Sequence, residues 1–135
     1  MHEVSIAIRW RDVDAYQHVN NAVYLNYLEE CRDRLVEDLF GTEEAWDFVL
    51  ARVAIDYREE LTQSDREVRV RCGVRAFGAS SVRTWERIEK ASGPLAGEAE
   101  SVIVPRDGST GRSRPLTEAE KLLLQAEIDG GGVGE

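Results

Sequence analysis

Between Asp12 and Asn21 the chain sets two aspartates, a histidine and two asparagines close together, immediately before a patterned apolar run. Asp14 brings a carboxylate to this cluster. It is available as a general base towards water, as a nucleophile towards an electrophilic carbonyl, or as a cap for its own turn, which is the commoner use of Asp in loops. Asp12 lies two residues earlier and in an extended segment projects to the opposite side, which suits a structural role. His18 can shuttle a proton or contact a substrate, but a lone turn histidine more often holds its loop by hydrogen bonding, and it is read as site-lining. Asn20 and Asn21 stand where a side-chain oxygen caps a helix. A capped helix start directs unpaired N–H groups and the positive end of the macrodipole at whatever lies beyond it.

The elements that must position these groups follow from periodicity. Val4, Ile6, Ile8 and Trp10 alternate with polar or small residues and predict a half-buried first strand. From Asn21 the period becomes helical, with Tyr24, Tyr27/Leu28, Cys31, Leu35 and Leu39 on one face. Glu29, Glu30, Arg32, Asp33 and Arg34 are predicted on the other sides, with Glu30–Arg34 and Glu29–Arg32 at ion-pair spacing. Gly41 supplies a left-handed helix end. Alternation returns around Val53–Tyr57, Val68–Ala76, Val82–Lys90 and Ala96–Val104, and Thr117 with Glu120 forms a capping box for a closing helix to about Glu127. One strand, a long helix, four strands and a short helix predict an α+β fold, an antiparallel sheet covering one helix. Residues 1–128 are read as one domain and 129–135, rich in glycine, as a flexible tail.

Composition removes whole classes of function. A chain of 135 residues with 42% hydrophobic content holds one ordinary core. A formal charge of −9 is the wrong sign for binding a phosphate backbone, so no nucleic-acid partner is expected. Cys31 and Cys72 sit in apolar segments without metal-ligand spacing and are read as buried free thiols, with no disulfide and no metal site expected. With no signal-like or membrane-spanning segment, the expected location is cytoplasmic, away from membranes.

The string Arg9-Trp10-Arg11-Asp12-Val13-Asp14, His18-Val19-Asn20-Asn21, Tyr24 and Tyr27-Leu28-Glu29-Glu30-Cys31-Arg32 resembles the 4-hydroxybenzoyl-CoA thioesterase-like branch of the hot-dog fold. Its pattern is roughly D-x-D-x-x-G-H-V-N-N-x-x-Y-x-x-Y-x-E-x-A-R. Tyr57, Ser64-Asp65, Phe77-Gly78-x-Ser80-Ser81 and Arg112-x-Arg114-Pro115-Leu116 extend the likeness over most of residues 4 to 127. The resemblance implies a curved antiparallel sheet wrapped around the long helix, dimerised so that acyl-CoA binds at the subunit interface. It places the catalytic carboxylate on Asp14 and the backbone N–H that polarises the thioester carbonyl on Asn21. Tyr16, Gln17, His18, Asn20 and Tyr24 are expected to contact substrate, with Gly78, Ser80 and Ser81 along the pantetheine path. Gln17 departs from the pattern, standing where the family usually has Gly. Another hot-dog branch uses a helix carboxylate, which keeps Glu29 as a candidate. Arg106, Arg112 and Arg114 carry guanidinium groups that suit CoA phosphates, but a solvated loop is the preferred reading of them.

The implied function is an acyl-CoA thioesterase, a homodimer or homotetramer. The alternatives are an acyl-carrier-protein thioesterase, for which an acidic surface is less suited to an acidic carrier, and a non-catalytic acyl-CoA binder.

Overall fold

The helical period beginning at Asn21 produces α1, Asn21–Phe40, in a computed structural model that describes residues 1–41 and 46–131. Asn20 caps it, its side-chain oxygen accepting the Ala22 N–H at 2.8 Å. At the other end the Gly41 N–H bonds the Glu37 carbonyl at 2.8 Å while Gly41 adopts φ 84°, a conformation costly for a residue with a Cβ. Among the described residues five strands form one sheet with this helix against its face: β1 (His2–Ala7), β2 (Phe48–Tyr57), β3 (Glu67–Phe77), β4 (Val82–Lys90) and β5 (Leu95–Pro105). All neighbours pair antiparallel, in the order β1-β3-β4-β5-β2. Register shifts in the β2–β5, β3–β4 and β4–β5 pairs are the irregularities that bend a sheet. The closing helix α2 spans Glu118–Gly130, and its Thr117–Glu120 capping box forms as expected. This is the α+β hot-dog arrangement that the resemblance implies.

The core lies between α1 and the inner face of the sheet. Tyr24, Tyr27, Leu28, Cys31 and Leu35 meet Val68, Val70, Cys72, Val82, Ile88 and Ile103, all buried. The two thiols are free, as expected, and adjacent, with Sγ atoms 2.8 Å apart. Hydrogen bonding to Cys31, then burial, pushes the Cys72 thiol up, so it stays protonated and unreactive. The outer face carries cross-strand ion pairs, including Arg71–Glu3 at 3.1 Å and Arg83–Glu100 at 3.4 Å. Amid them lies Trp85, whose indole covers Gly73 so closely that a Cβ there would fall 2.7 Å from Nε1.

Two expectations are corrected. The first strand ends at Ala7 and does not reach Trp10, because Asp12 captures the Arg9 N–H and draws Trp10–Asp12 into a 3₁₀ turn. Trp10 is thereby left 82% exposed. Arg32 does not lie on the outer helix surface: it is buried and pairs with Glu86 of β4 at 2.9 Å, and neither Glu29–Arg32 nor Glu30–Arg34 comes within ion-pair distance. Helix α2 runs to Gly130, beyond the expected domain end at 128, and residues 132–135 of the expected tail lie outside the described residues.

Candidate active site

Asp12 builds the loop that carries the polar cluster. Only 4% exposed, its carboxylate accepts the Arg9 N–H at 2.9 Å and the Tyr27 hydroxyl at 2.9 Å, and its carbonyl accepts the Asn20 N–H at 2.9 Å. Burial, then the bond to Asp12, pushes the Tyr27 phenol up, so it remains a protonated donor. The loop is therefore tied both to the body of α1 and to its start.

Beyond Asp12 the chain folds back on itself. Val13 and Val19 form an antiparallel bridge, the Asp14 N–H bonds the His18 carbonyl at 2.9 Å, and the Gln17 N–H bonds the Asp14 carbonyl at 3.0 Å. Gln17 closes this hairpin in the left-handed region, at φ 70°. One carboxylate oxygen of Asp14 accepts the Tyr16 N–H at 2.9 Å, so the turn-capping role is realised. The other oxygen has no partner among the described residues.

Val19 draws a second turn alongside, its N–H bonding the Leu61 carbonyl at 2.7 Å. The 3₁₀ turn Gln63–Asp65 follows, closed by Asp65 accepting the Thr62 N–H at 2.9 Å. Between the two turns opens a cavity of about 580 Å³ whose walls include Asp14, Gln17, Trp10, Thr62, Gln63 and Ser64. The Asn21 N–H, first in the helix, has no acceptor among the described residues, whereas the Asn21 carbonyl accepts the Tyr57 hydroxyl at 3.0 Å. Carboxylate, cavity and helix start thus share one short, doubly anchored segment. A carboxylate and unpaired backbone donors are what attack on a carbonyl requires.

A family model described as the thioesterase-like superfamily matches residues 8–126, most of the chain. The chain belongs to the thioesterase-like superfamily. The match starts at Ile8, just before the loop, and so takes in the whole polar cluster. A solved thioesterase from Thermus thermophilus, complexed with coenzyme A and Zn, is 34% identical, covers 95% of each chain and superposes with a TM-score of 0.83. The long-chain acyl-CoA thioesterase FadM of Escherichia coli (strain K12) is 40% identical over 67 residues, 47% of this chain. The chain spans about half the length of that curated relative, 51%. A Staphylococcus aureus protein in complex with CoA, 14% identical, shares the fold with a TM-score of 0.85, covering 97% of this chain and 85% of its own.

The residues that the superfamily pattern picks out separate in space. Asp14 and Gln17 line one cavity, with Asn20 and Asn21 at the adjoining helix start. Tyr16 is 82% exposed beside them and lines no part of that cavity. His18 faces Glu60, with Nε2 3.0 Å from its carboxylate, as suits a loop-holding residue. Tyr24 is buried, its hydroxyl on the Glu59 carbonyl and its ring edge-on to Tyr57 at 5.0 Å, which makes it a core residue. Gly78 and Ser81 close the β3–β4 turn and line a separate cavity of about 250 Å³ with Phe77 and Arg83; Ser80 does not line it. The two cavities share no residue within one chain. Of the three arginines considered for CoA phosphates, Arg106 pairs with Asp47 and Arg114 with Glu120. Glu29 is exposed on α1, away from the Asp14 walls. Sequence reasoning missed Thr62 and Gln63; the Thr62-x-x-Asp65 capping spacing signalled their turn but not which loop it would face.

Proposed function

We propose that the chain hydrolyses acyl-CoA thioesters to a free acid and CoA, with Asp14 as general base or nucleophile and the Asn21 N–H as oxyanion donor. As a base, Asp14 takes a proton from the water whose oxygen bonds the carbonyl carbon. As a nucleophile, it bonds that carbon itself and water later cleaves the mixed anhydride. In either route the carbonyl oxygen gathers negative charge, the C–S bond breaks and the CoA sulfur leaves as a thiolate that takes up a proton. Unpaired N–H groups at a helix start stabilise the developing charge without reorganising. The reaction needs no further cofactor on this reading, since carboxylate and donors supply both requirements.

The observation that carries the proposal is the free Asp14 carboxylate oxygen at a cavity whose loop is pinned to the start of α1. Likeness to thioesterases, one of them solved with coenzyme A, supports CoA as the carrier. A homodimer completes the proposal: β2 is a sheet edge with no partner strand among the described residues, open to pairing with a second chain.

Release of free thiol from aliphatic and aromatic acyl-CoAs tests the reading, with acyl-carrier-protein esters in parallel. Turnover of the CoA esters supports it. Tight binding without turnover makes the chain a binder, and turnover of carrier-protein esters alone reassigns the substrate. Asn21→Pro removes the N–H at a position where a first helical turn tolerates proline, and should lower kcat by about 10²-fold.

A further inference from the structure

Two non-glycine residues among those described have a left-handed backbone, Gln17 at φ 70° and Arg66 at φ 67°. Gln17 closes the Asp14 hairpin, and Arg66 ends the 3₁₀ turn on the facing wall, so both belong to the two turns that form one cavity. At its other left-handed positions, 41, 93 and 111, the chain uses glycine. Left-handed φ is unfavourable for a residue with a Cβ, and the backbone of the hairpin asks nothing of a side chain at 17 that glycine would not meet better. Strain of this kind concentrates where a side chain is needed for function.

What the side chain offers is a carboxamide. Gln17 and Gln63 line the cavity from its two turns, neither carboxamide is paired among the described residues, and Asp14, in the same hairpin as Gln17, lines the same cavity with one carboxylate oxygen unpaired among them. Thr62 and Ser64, whose hydroxyls lie 2.8 Å apart, extend the polar wall. Trp10, Val13 and Ala15 complete the lining, and on its polar side hydrogen bonds to water are lost when a plain alkyl chain enters and recovered when the entering group carries a donor or acceptor of its own.

We infer that Gln17 is a specificity-determining residue, kept in a strained backbone so that its carboxamide selects acyl groups bearing a hydrogen-bonding substituent near the thioester. The inference rests on the thioesterase reading above. The carboxamide acts on the acyl side because it flanks Asp14, the group assigned to the carbonyl carbon.

The test compares kcat/KM for CoA esters matched in chain length, one 3-hydroxylated and one unsubstituted, in the full chain and in Gln17→Gly and Gln17→Met. The wild type should prefer the hydroxylated ester by about tenfold, below the discrimination of a fully closed polar site because this cavity is open. Both variants should bring the ratio to within about twofold. Gln17→Gly should also raise Tm by about 3 °C through relief of the left-handed side chain, and Gln17→Met, which keeps that strain, should not. An unchanged ratio in active variants overturns the inference. Equal losses on both esters overturn it too, by assigning the carboxamide to the common CoA portion. No thiol release from any ester by the wild type defeats the thioesterase reading, and this inference with it.

Discussion

Asp12 and Asp14 differ in exposure and partners, not in chemistry. Asp12 is a buried acceptor for two donors and Asp14 keeps a free oxygen at a cavity. Asp12→Asn replaces one acceptor oxygen by a donor beside the Arg9 N–H and the Tyr27 hydroxyl, and should cost about 1–3 kcal/mol, read as a lower denaturation midpoint. Asp14→Asn should leave the unfolding curve almost in place and reduce kcat by about 10²- to 10⁴-fold, the range for a positioned base. Thermal melts beside thiol-release kinetics separate the pair. A folded Asp14→Asn chain with near-normal kcat would remove Asp14 from the mechanism.

At the scale of elements, two polar clusters join parts that periodicity treats separately. Arg32 carries α1 onto the sheet: its guanidinium lies 2.9 Å from Glu86, which also accepts hydrogen bonds from Thr84 and Ser101. Desolvation raises the Glu86 carboxyl, and the bonds to Ser101 and Arg32 oppose it. Arg32→Met alone should destabilise by about 3–5 kcal/mol, since it strands a buried charge, whereas Arg32→Met with Glu86→Leu should recover most of that loss. Urea unfolding of the single and double variants checks this. At the start of α2, Glu120 accepts from both Arg114 guanidinium nitrogens at 2.9 Å, from the Thr117 N–H and from the Trp46 indole. Arg114 foremost holds its carboxyl down to about 2, against an ordinary 4.5. A depressed folded pKa contributes stability that is complete above the unfolded value, so this contribution should fade as pH drops from about 4.5 towards 2. Melts across that window should show Glu120→Gln less stable at neutral pH and less sensitive to the acid range.

For the whole molecule, β2 leaves its outer edge unpaired among the described residues of one chain while Val49 and Leu50 are 42% and 44% exposed. An edge of ten residues with exposed apolar side chains is a template for another strand. Light scattering should therefore give at least a dimer at micromolar concentration, and a fully active monomer would contradict it. The sequence by itself determined the element order, a cap at Asn20 or Asn21, the left-handed stop at Gly41 and the α2 capping box. These depend on spacing along the chain and on contacts a few residues apart. Tertiary structure alone decided that Arg32 is buried on Glu86, that the Gln63–Asp65 turn walls the Asp14 cavity and that Gly78 and Ser81 line another. Arg32 and Glu86 lie 54 positions apart, Val19 and Leu61 more than forty. No local period encodes such pairings, because they arise only when the sheet closes over the helix and each buried polar group must find a partner within reach.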